Sequence, residues 1–146
     1  MRFKTPTTVH FIYIKDHQVL LARRCNTGYR DGWYGVPAGH VEDNEPLAAA
    51  MCRELEEEIG ITLRPSEIVP VHFMYRSEEE SNIRFDTFWS PVAPLGREPA
   101  NMEPDKCDDV AFFDLNKLPE KTIPNLAFVF EKISNQEIYS EYGWEQ

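Results

Sequence analysis

The stretch GHVEDNEPLAAAMCRELEEEIGI, residues 39–61, decides the fold, because it joins helix boundary signals to an unusual density of acidic side chains. Asp43 or Asn44 can cap the start of a helix, and Gly60 stands where a residue in the left-handed conformation commonly ends one. The pattern therefore predicts a helix over about residues 45–59, with an apolar stripe that faces the core.

Three carboxylates share one edge of this predicted helix. At about 100° per residue, Glu54, Glu57 and Glu58 fall within one sector beside the apolar stripe, whereas Glu56 points the other way. Carboxylates crowded on a partly buried edge either have raised pKa values or bind a cation. Hard oxygen ligands on a rigid element suit Mg²⁺ or Mn²⁺, and a solvated acidic helix face is the plain alternative.

The spacing of these residues distinguishes the two readings. The stretch fits the pattern Gx5Ex7REUxEExGU, where U is apolar, at Gly39, Glu45, Arg53, Glu54, Leu55, Glu57, Glu58, Gly60 and Ile61. This is the full signature of the Nudix hydrolases, and the chain resembles their MutT-like nucleotide pyrophosphohydrolase branch. The resemblance implies an α/β (α+β) fold, the Nudix fold, in which a mixed β-sheet is sandwiched between α-helices.

The flanking sequence is compatible with one Nudix domain spanning residues 1–146. Alternating apolar residues and turn signals predict a hairpin of two strands, a long strand pair, a further strand and a second helix. These elements fall at residues 7–24, 67–77 with 82–92, 110–115 and 124–135. Between the paired strands, Glu78, Glu79 and Glu80 are expected to form a solvated turn.

The resemblance assigns roles within the signature. It implies that Glu54, Glu57 and Glu58, with the carbonyl of Gly39 at a tight turn, are the ligands of Mg²⁺ or Mn²⁺. Glu54 is the first choice for positioning or deprotonating the attacking water, although the base varies within the family and ligand and base can exchange. Arg53 is expected to orient the carboxylates by hydrogen bonds. Glu45 is either a structural glutamate or an acid favoured by the helix dipole.

Three further site residues are expected outside the signature. By resemblance, Glu103 supplies an additional catalytic or metal-binding carboxylate, and an exposed loop acid is its alternative. Either Arg23 or Arg24 contacts the nucleotide, since strand alternation sends only one of them inward, and Arg24 is favoured. Asn125 is expected to read a purine edge through its amide or, alternatively, to cap the second helix.

Composition excludes several classes of protein. A net charge of −10 argues against a nucleic-acid scaffold. The N-terminal segment contains neither a signal sequence nor a membrane span, which predicts a cytoplasmic protein without membrane attachment. The three cysteines have no disulfide or zinc spacing and are expected to be free. The C-terminal aromatic residues could seal the domain or form a homodimer contact.

The predicted function is Mg²⁺-dependent hydrolysis of a nucleoside triphosphate, or a related nucleoside diphosphate derivative, at a pyrophosphate linkage. The partner is then a small-molecule nucleotide. An ADP-ribose or nucleotide-sugar pyrophosphatase is the alternative within the enzyme class. A nucleotide-binding module without catalysis is less favoured because such modules often lack signature glutamates and all are present here, and a purely structural acidic domain is improbable.

Overall fold

A computed structural model describes residues 1–78 and 82–144. In this part of the chain, two β-sheets lie between two α-helices. The strands are β1 (Thr7–Phe11), β2 (Ile14–Lys15), β3 (Gln18–Arg24), β4 (Tyr34–Gly35), β5 (Ala38–His40), β6 (Ile68–Glu78), β7 (Asn82–Pro91), β8 (Cys107–Asp114) and β9 (Tyr139–Tyr142). The helices are α1 (Leu47–Ile59) and α2 (Pro124–Ser134), and a 3₁₀ turn covers Pro65–Glu67.

The larger sheet is mixed, with the strand order β5-β1-β7-β6-β9. Strand β1 runs parallel to β7 and antiparallel to β5, and β9 runs parallel to β6. The long pair β6 and β7 is antiparallel, as the sequence predicts. Of the predicted glutamate turn between them, Glu79 and Glu80 lie outside the described residues, whereas Glu78 is half-buried and accepts a hydrogen bond from Tyr29.

The smaller sheet corrects one expectation about the N-terminal strands. The hairpin is only β2 with β3, turning at Asp16 and His17, which both have positive φ, while β1 belongs to the larger sheet. Strand β3 also pairs with β4 and, over its whole length, with β8. The alternation of apolar residues identified the strands, but it carries no information about which strand pairs with which.

Helix α1 begins two residues later than predicted and has no side-chain cap. Pro46 holds the N-cap position with an extended backbone, and neither Asp43 nor Asn44 caps the helix. The reason is a preceding turn, in which Asn44 is left-handed and the Glu45 amide donates to the Glu42 carbonyl. The predicted end is confirmed, since Gly60 is left-handed with φ 69° and its amide donates to the carbonyl of Leu55.

Two apolar clusters place the helices on opposite sides of the sheets. One cluster joins Met51 and Leu55 of α1 to Phe11 and other strand residues, and the second joins Val129 of α2 to Leu21 and other strand residues. Neighbouring strand residues divide between the clusters, as period-two alternation requires. The sandwich of sheet between helices that the resemblance implied is confirmed.

The C-terminal segment packs on the domain. Strand β9 extends the larger sheet, and the Trp144 ring stacks on Tyr75 at 5.3 Å while its indole donates to the Tyr75 carbonyl at 3.0 Å. This corresponds to the sealing role expected for the tail, and the homodimer contact stays a prediction. Neither α1 nor α2 has the length and apolar character of a membrane span, a finding that covers residues 1–78 and 82–144.

Candidate functional site

The three carboxylates predicted to share an edge of α1 face one cavity. Glu54, Glu57 and Glu58 all line a cavity of about 390 Å³, whereas Glu56 is exposed and does not. Helical spacing puts the three on one side, because residues three and four apart are neighbours on a helix surface. The acidic edge, Glu54 with Glu57 and Glu58, is therefore a feature of the cavity wall.

Glu54 is held between the neighbouring strand β5 and an arginine of its own helix. A Cβ atom at Gly39 would overlap the Glu54 carboxylate, so a larger residue there would have to displace that side chain. Gly39 lies in β5 opposite Val9 and not in the tight turn that was expected. Because Gly39 has no side chain, strand β5 can approach the Glu54 carboxylate closely. A glycine in the sequence can indicate either a turn or such a close approach, so the sequence alone could not tell which applies here.

Arg53 connects the acidic edge to the segment that precedes α1. Its guanidinium binds both oxygens of Glu45, at 2.8 and 3.0 Å, and donates from Nη1 to Glu54 Oε1 at 2.8 Å. It also donates to the His40 carbonyl at 3.2 Å, and its Nη1 lies 3.5 Å from Glu57 Oε2. These hydrogen bonds lower the pKa of Glu45 to about 2 and fix the orientation of Glu54.

Glu58 is the most strongly perturbed member of the acidic edge. Burial, with the nearby negative charges of Glu54 and Glu103, raises its pKa to about 8. The backbone amide of Ala38 donates to the Glu58 carboxylate at 3.0 Å and opposes this shift. Burial likewise raises the pKa of Glu54, against the effect of Arg53. In the absence of a cation, the ionised forms of Glu54 and Glu58 are therefore disfavoured.

Glu103 reaches the same cavity because its loop docks on the C-terminal end of α1. The amides of Ala100 and Met102 donate to the carbonyls of Ile59 and Glu58, at 2.9 and 3.0 Å, which have no partner inside the helix. Asn101 adds two bonds, donating from its amide to the Cys107 carbonyl and accepting from the Glu103 backbone. The docked loop sets Glu103 in the cavity wall with the acidic edge.

Arg23, Arg24 and Asn125 also line the cavity. Strand alternation predicted that only one of the two arginines would point inward. Both lie in the cavity wall, beside a shift in the pairing of β3 with β8 where Asp108 is an extra residue on β8. Arg23 is paired with Asp108 at 2.7 Å, while Arg24 donates to the Tyr29 carbonyl and to Thr27. Asn125 lies in the first turn of α2, and no side-chain cap is formed there.

Sequence reasoning missed several residues of the cavity wall. Lys106, Tyr29, His10 and Arg76 line it as well. A local signal existed for Lys106, since the segment EPDK has Pro and Asp in the central positions of a turn that would place Lys106 close to Glu103. No local signal marks His10 or Arg76, because strands of the larger sheet bring them to the cavity.

The donor set of this wall fits a hard divalent cation. Among the described residues, no group of three or more His, Cys, Asp or Glu side chains is already gathered so as to hold a metal ion. The acidic edge and Glu103 nevertheless bring four carboxylates to one wall, and burial disfavours the ionised forms of Glu54 and Glu58 unless a cation is near. Carboxylate oxygens are the ligands that Mg²⁺ and Mn²⁺ prefer. Glu54, Glu57 and Glu58, with the Gly39 carbonyl or Glu103, are the residues that could hold it.

Comparison with known proteins shows the family of this chain. The model of the NUDIX domain matches residues 4–132. The chain belongs to the Nudix family. A relative from Methanocaldococcus jannaschii named ADP-ribose pyrophosphatase is 31% identical over 119 residues, which are 82% of this chain and 64% of that protein. The 8-oxo-dGTP diphosphatase of Proteus vulgaris is 43% identical over 47 residues, 32% of this chain and 42% of that protein.

Solved structures support the fold of this Nudix chain. The MutT Nudix hydrolase of Burkholderia pseudomallei superposes with a TM-score of 0.77 at 25% identity, over 88% of this chain and 98% of that one. The chain spans less than two thirds of the length of the curated relatives it matches. The predicted membership of the MutT-like Nudix hydrolases is confirmed, and Nudix hydrolases generally use divalent metal ions.

Proposed function

We propose that this Nudix protein is a Mg²⁺-dependent pyrophosphohydrolase that converts a nucleoside triphosphate to a monophosphate and pyrophosphate. The observation that carries the proposal is the shared cavity, in which the acidic edge and Glu103 lie in the same wall as Arg24 and Asn125. Carboxylates for a cation, an arginine for phosphate and an amide for a base are the groups that a nucleotide hydrolase requires.

Each carboxylate of the acidic edge has a distinct environment and hence a distinct task. Glu57 is half-exposed, with Oε2 at 3.5 Å from Arg53 Nη1, while the Glu58 carboxylate accepts a hydrogen bond from the amide of Ala38. With the Gly39 carbonyl, these groups and Glu54 would hold Mg²⁺ or Mn²⁺. When bound, such an ion neutralises charge on the phosphate oxygens and makes the attacking water more acidic.

Glu54 is proposed to orient the attacking water and to accept its proton. Its Oε1 is held by Arg53, so Oε2 is left for a second partner. Arg53 is in turn fixed by both oxygens of Glu45, which keeps Glu54 in one orientation during the reaction. Glu103, in the same wall, is the alternative base if Glu54 serves chiefly as a ligand.

Arg24 and Asn125 are proposed to bind the substrate. The Arg24 guanidinium, which lies 5.4 Å from the centre of the Tyr29 ring, would contact phosphate oxygens, and the Asn125 amide would pair with the edge of the base. ADP-ribose, or a nucleotide sugar, is the second candidate substrate class, and the name of the Methanocaldococcus jannaschii relative favours it. Both classes are cleaved at a pyrophosphate linkage.

The experiment is a panel of nucleoside triphosphates, ADP-ribose and nucleotide sugars, assayed for phosphate, pyrophosphate and nucleotide products with and without Mg²⁺. Reaction in H₂¹⁸O identifies the phosphorus that is attacked. Glu54→Gln, Glu57→Gln and Glu58→Gln are expected to lower kcat at least about a hundredfold, since each removes a charged group at the reacting centre. The control Glu56→Gln, on the exposed side of the same helix, is expected to stay within about twofold.

Two outcomes would overturn the proposal. Absence of turnover on the whole panel, combined with nucleotide binding that survives Glu57→Gln, would identify a nucleotide-binding module without catalysis. Equal activity with and without divalent ions would eliminate the assigned role of the acidic edge. In this proposal, residues 1–146 form one Nudix domain. The protein acts in the cytoplasm, and its partner is a small nucleotide.

A further inference from the structure

Among the described residues, four Arg and Lys side chains line the cavity, and they differ in whether a carboxylate already neutralises their charge. Arg23 is paired with Asp108, and Arg76 is paired with Asp86 and Glu78. Arg24 and Lys106 have no carboxylate within 4.0 Å among residues 1–78 and 82–144. A cation that already forms an ion pair would have to give up its carboxylate partner to bind an anion, whereas an unpaired cation would not.

The backbone that carries Lys106 is fixed on both sides. Its amide donates to the Glu103 carbonyl at 2.9 Å, and its own carbonyl accepts from the Cys25 amide at 2.9 Å. The Asn26 side chain also donates to the neighbouring Asp105 carbonyl at 3.2 Å. A lysine on a mobile loop would be an ordinary solvated charge. Here one turn presents a carboxylate, Glu103, and an ammonium group, Lys106, to the same cavity.

The negative charge of the whole protein makes a cation in the cavity wall important for binding an anionic substrate. With a net charge of −10 and an acidic edge in the cavity, the protein repels a polyphosphate unless local cations or a metal offset that repulsion. Lys106 is exposed and lies in the cavity wall with the acidic edge. Its long flexible side chain can bring the ammonium group to a phosphate oxygen of a substrate bound in the cavity.

We propose that Lys106 binds the phosphate chain of the substrate and favours substrates with more phosphate charge. The inference rests on the proposed function for its substrate but concerns a residue that the Nudix signature does not contain. A nucleoside triphosphate, which carries more charge than a nucleoside diphosphate derivative, gains more from this extra cation. Lys106 is thus a binding residue that separates the two candidate substrate classes.

The first test compares Lys106→Met with Lys106→Arg and with Lys117→Met, an exposed lysine outside the cavity that matches the change of net charge. With Mg²⁺ present, Lys106→Met is expected to raise KM for a nucleoside triphosphate about tenfold with kcat within about twofold. Its KM for ADP-ribose is expected to change less than about threefold. Lys106→Arg should restore most of the loss, because it keeps the positive charge.

A second measurement keeps the inference separate from the proposed function. Binding of inorganic tripolyphosphate with Mg²⁺ is measured by calorimetry, so that no turnover is needed. Weaker binding in Lys106→Met but not in Lys117→Met supports the inference, even if no nucleotide is hydrolysed and the proposed function fails. If nucleotides are hydrolysed while Lys106→Met and Lys117→Met have equal KM and equal tripolyphosphate affinity, the inference is wrong and the proposed function stands.

Discussion

At the scale of single residues, Gly39 is the position where the smallest addition has the largest expected effect. Its backbone is ordinary strand, so alanine is not strained there, but the added Cβ would overlap the Glu54 carboxylate. Gly39→Ala is therefore expected to displace Glu54 from Arg53 and to lower kcat by about tenfold to a hundredfold, because misplacement of a catalytic group by about 1 Å is costly. Steady-state kinetics with Mg²⁺ measure this.

Gly96→Ala is the matched control for that prediction. A Cβ at Gly96 meets no atom within 4 Å, and its backbone does not require glycine. It is expected to retain parental activity and thermal stability. Equal activity of Gly39→Ala and Gly96→Ala would mean that Glu54 tolerates displacement, which would contradict its assignment as the group that orients the attacking water.

At the scale of elements, the docking of the 92–106 loop on α1 is what joins Glu103 to the acidic edge. Asn101→Ala removes two hydrogen bonds of that loop and is expected to lower kcat about three- to tenfold through Glu103. If so, Asn101→Ala in a Glu103→Gln background should cost nothing further, because the residue that it positions is already disabled. Asn116→Ala, which removes an amide at a surface turn, is the control.

Independent, additive losses from Asn101→Ala and Glu103→Gln would contradict this coupling. In that case Asn101 supports the fold in general and does not position Glu103. Thermal denaturation of each variant, measured beside the kinetics, distinguishes the two outcomes, because a general loss of stability lowers the melting temperature equally in both backgrounds.

The elements also differ in how far the sequence could predict them. Helix α1 was predictable to within two residues, and the sharing of one face by Glu54, Glu57 and Glu58 follows from helical spacing alone. The docking of the 92–106 loop was not predictable, because its amides donate to carbonyls that lie far away along the chain. The register shift between β3 and β8 at Arg23 and Arg24 was not predictable either, because it arises from the pairing of strands that lie far apart in the sequence.

At the scale of the whole molecule, the acidic edge links metal binding to folding, because its carboxylates are gathered only in the folded protein. An ion that binds only the folded protein stabilises it, by about 2.7 kcal/mol at a hundredfold excess over Kd. For a chain of this size, Mg²⁺ is then expected to raise Tm by about 5 °C or more at constant ionic strength. Differential scanning calorimetry in NaCl and in MgCl₂ of equal ionic strength measures the shift.

Variants of α1 test whether Mg²⁺ stabilises the protein by binding at the acidic edge. Burial raises the pKa of Glu58 to about 8, so near pH 7 the metal-free carboxyl is largely neutral and Glu58→Gln resembles it; the metal-free variant is expected to be about as stable as the parent while gaining little from Mg²⁺. Glu56→Gln, exposed and outside the cavity, should keep the full gain. If Glu58→Gln gained as much from Mg²⁺ as the parent, the ion would bind elsewhere and the stabilisation would say nothing about the acidic edge.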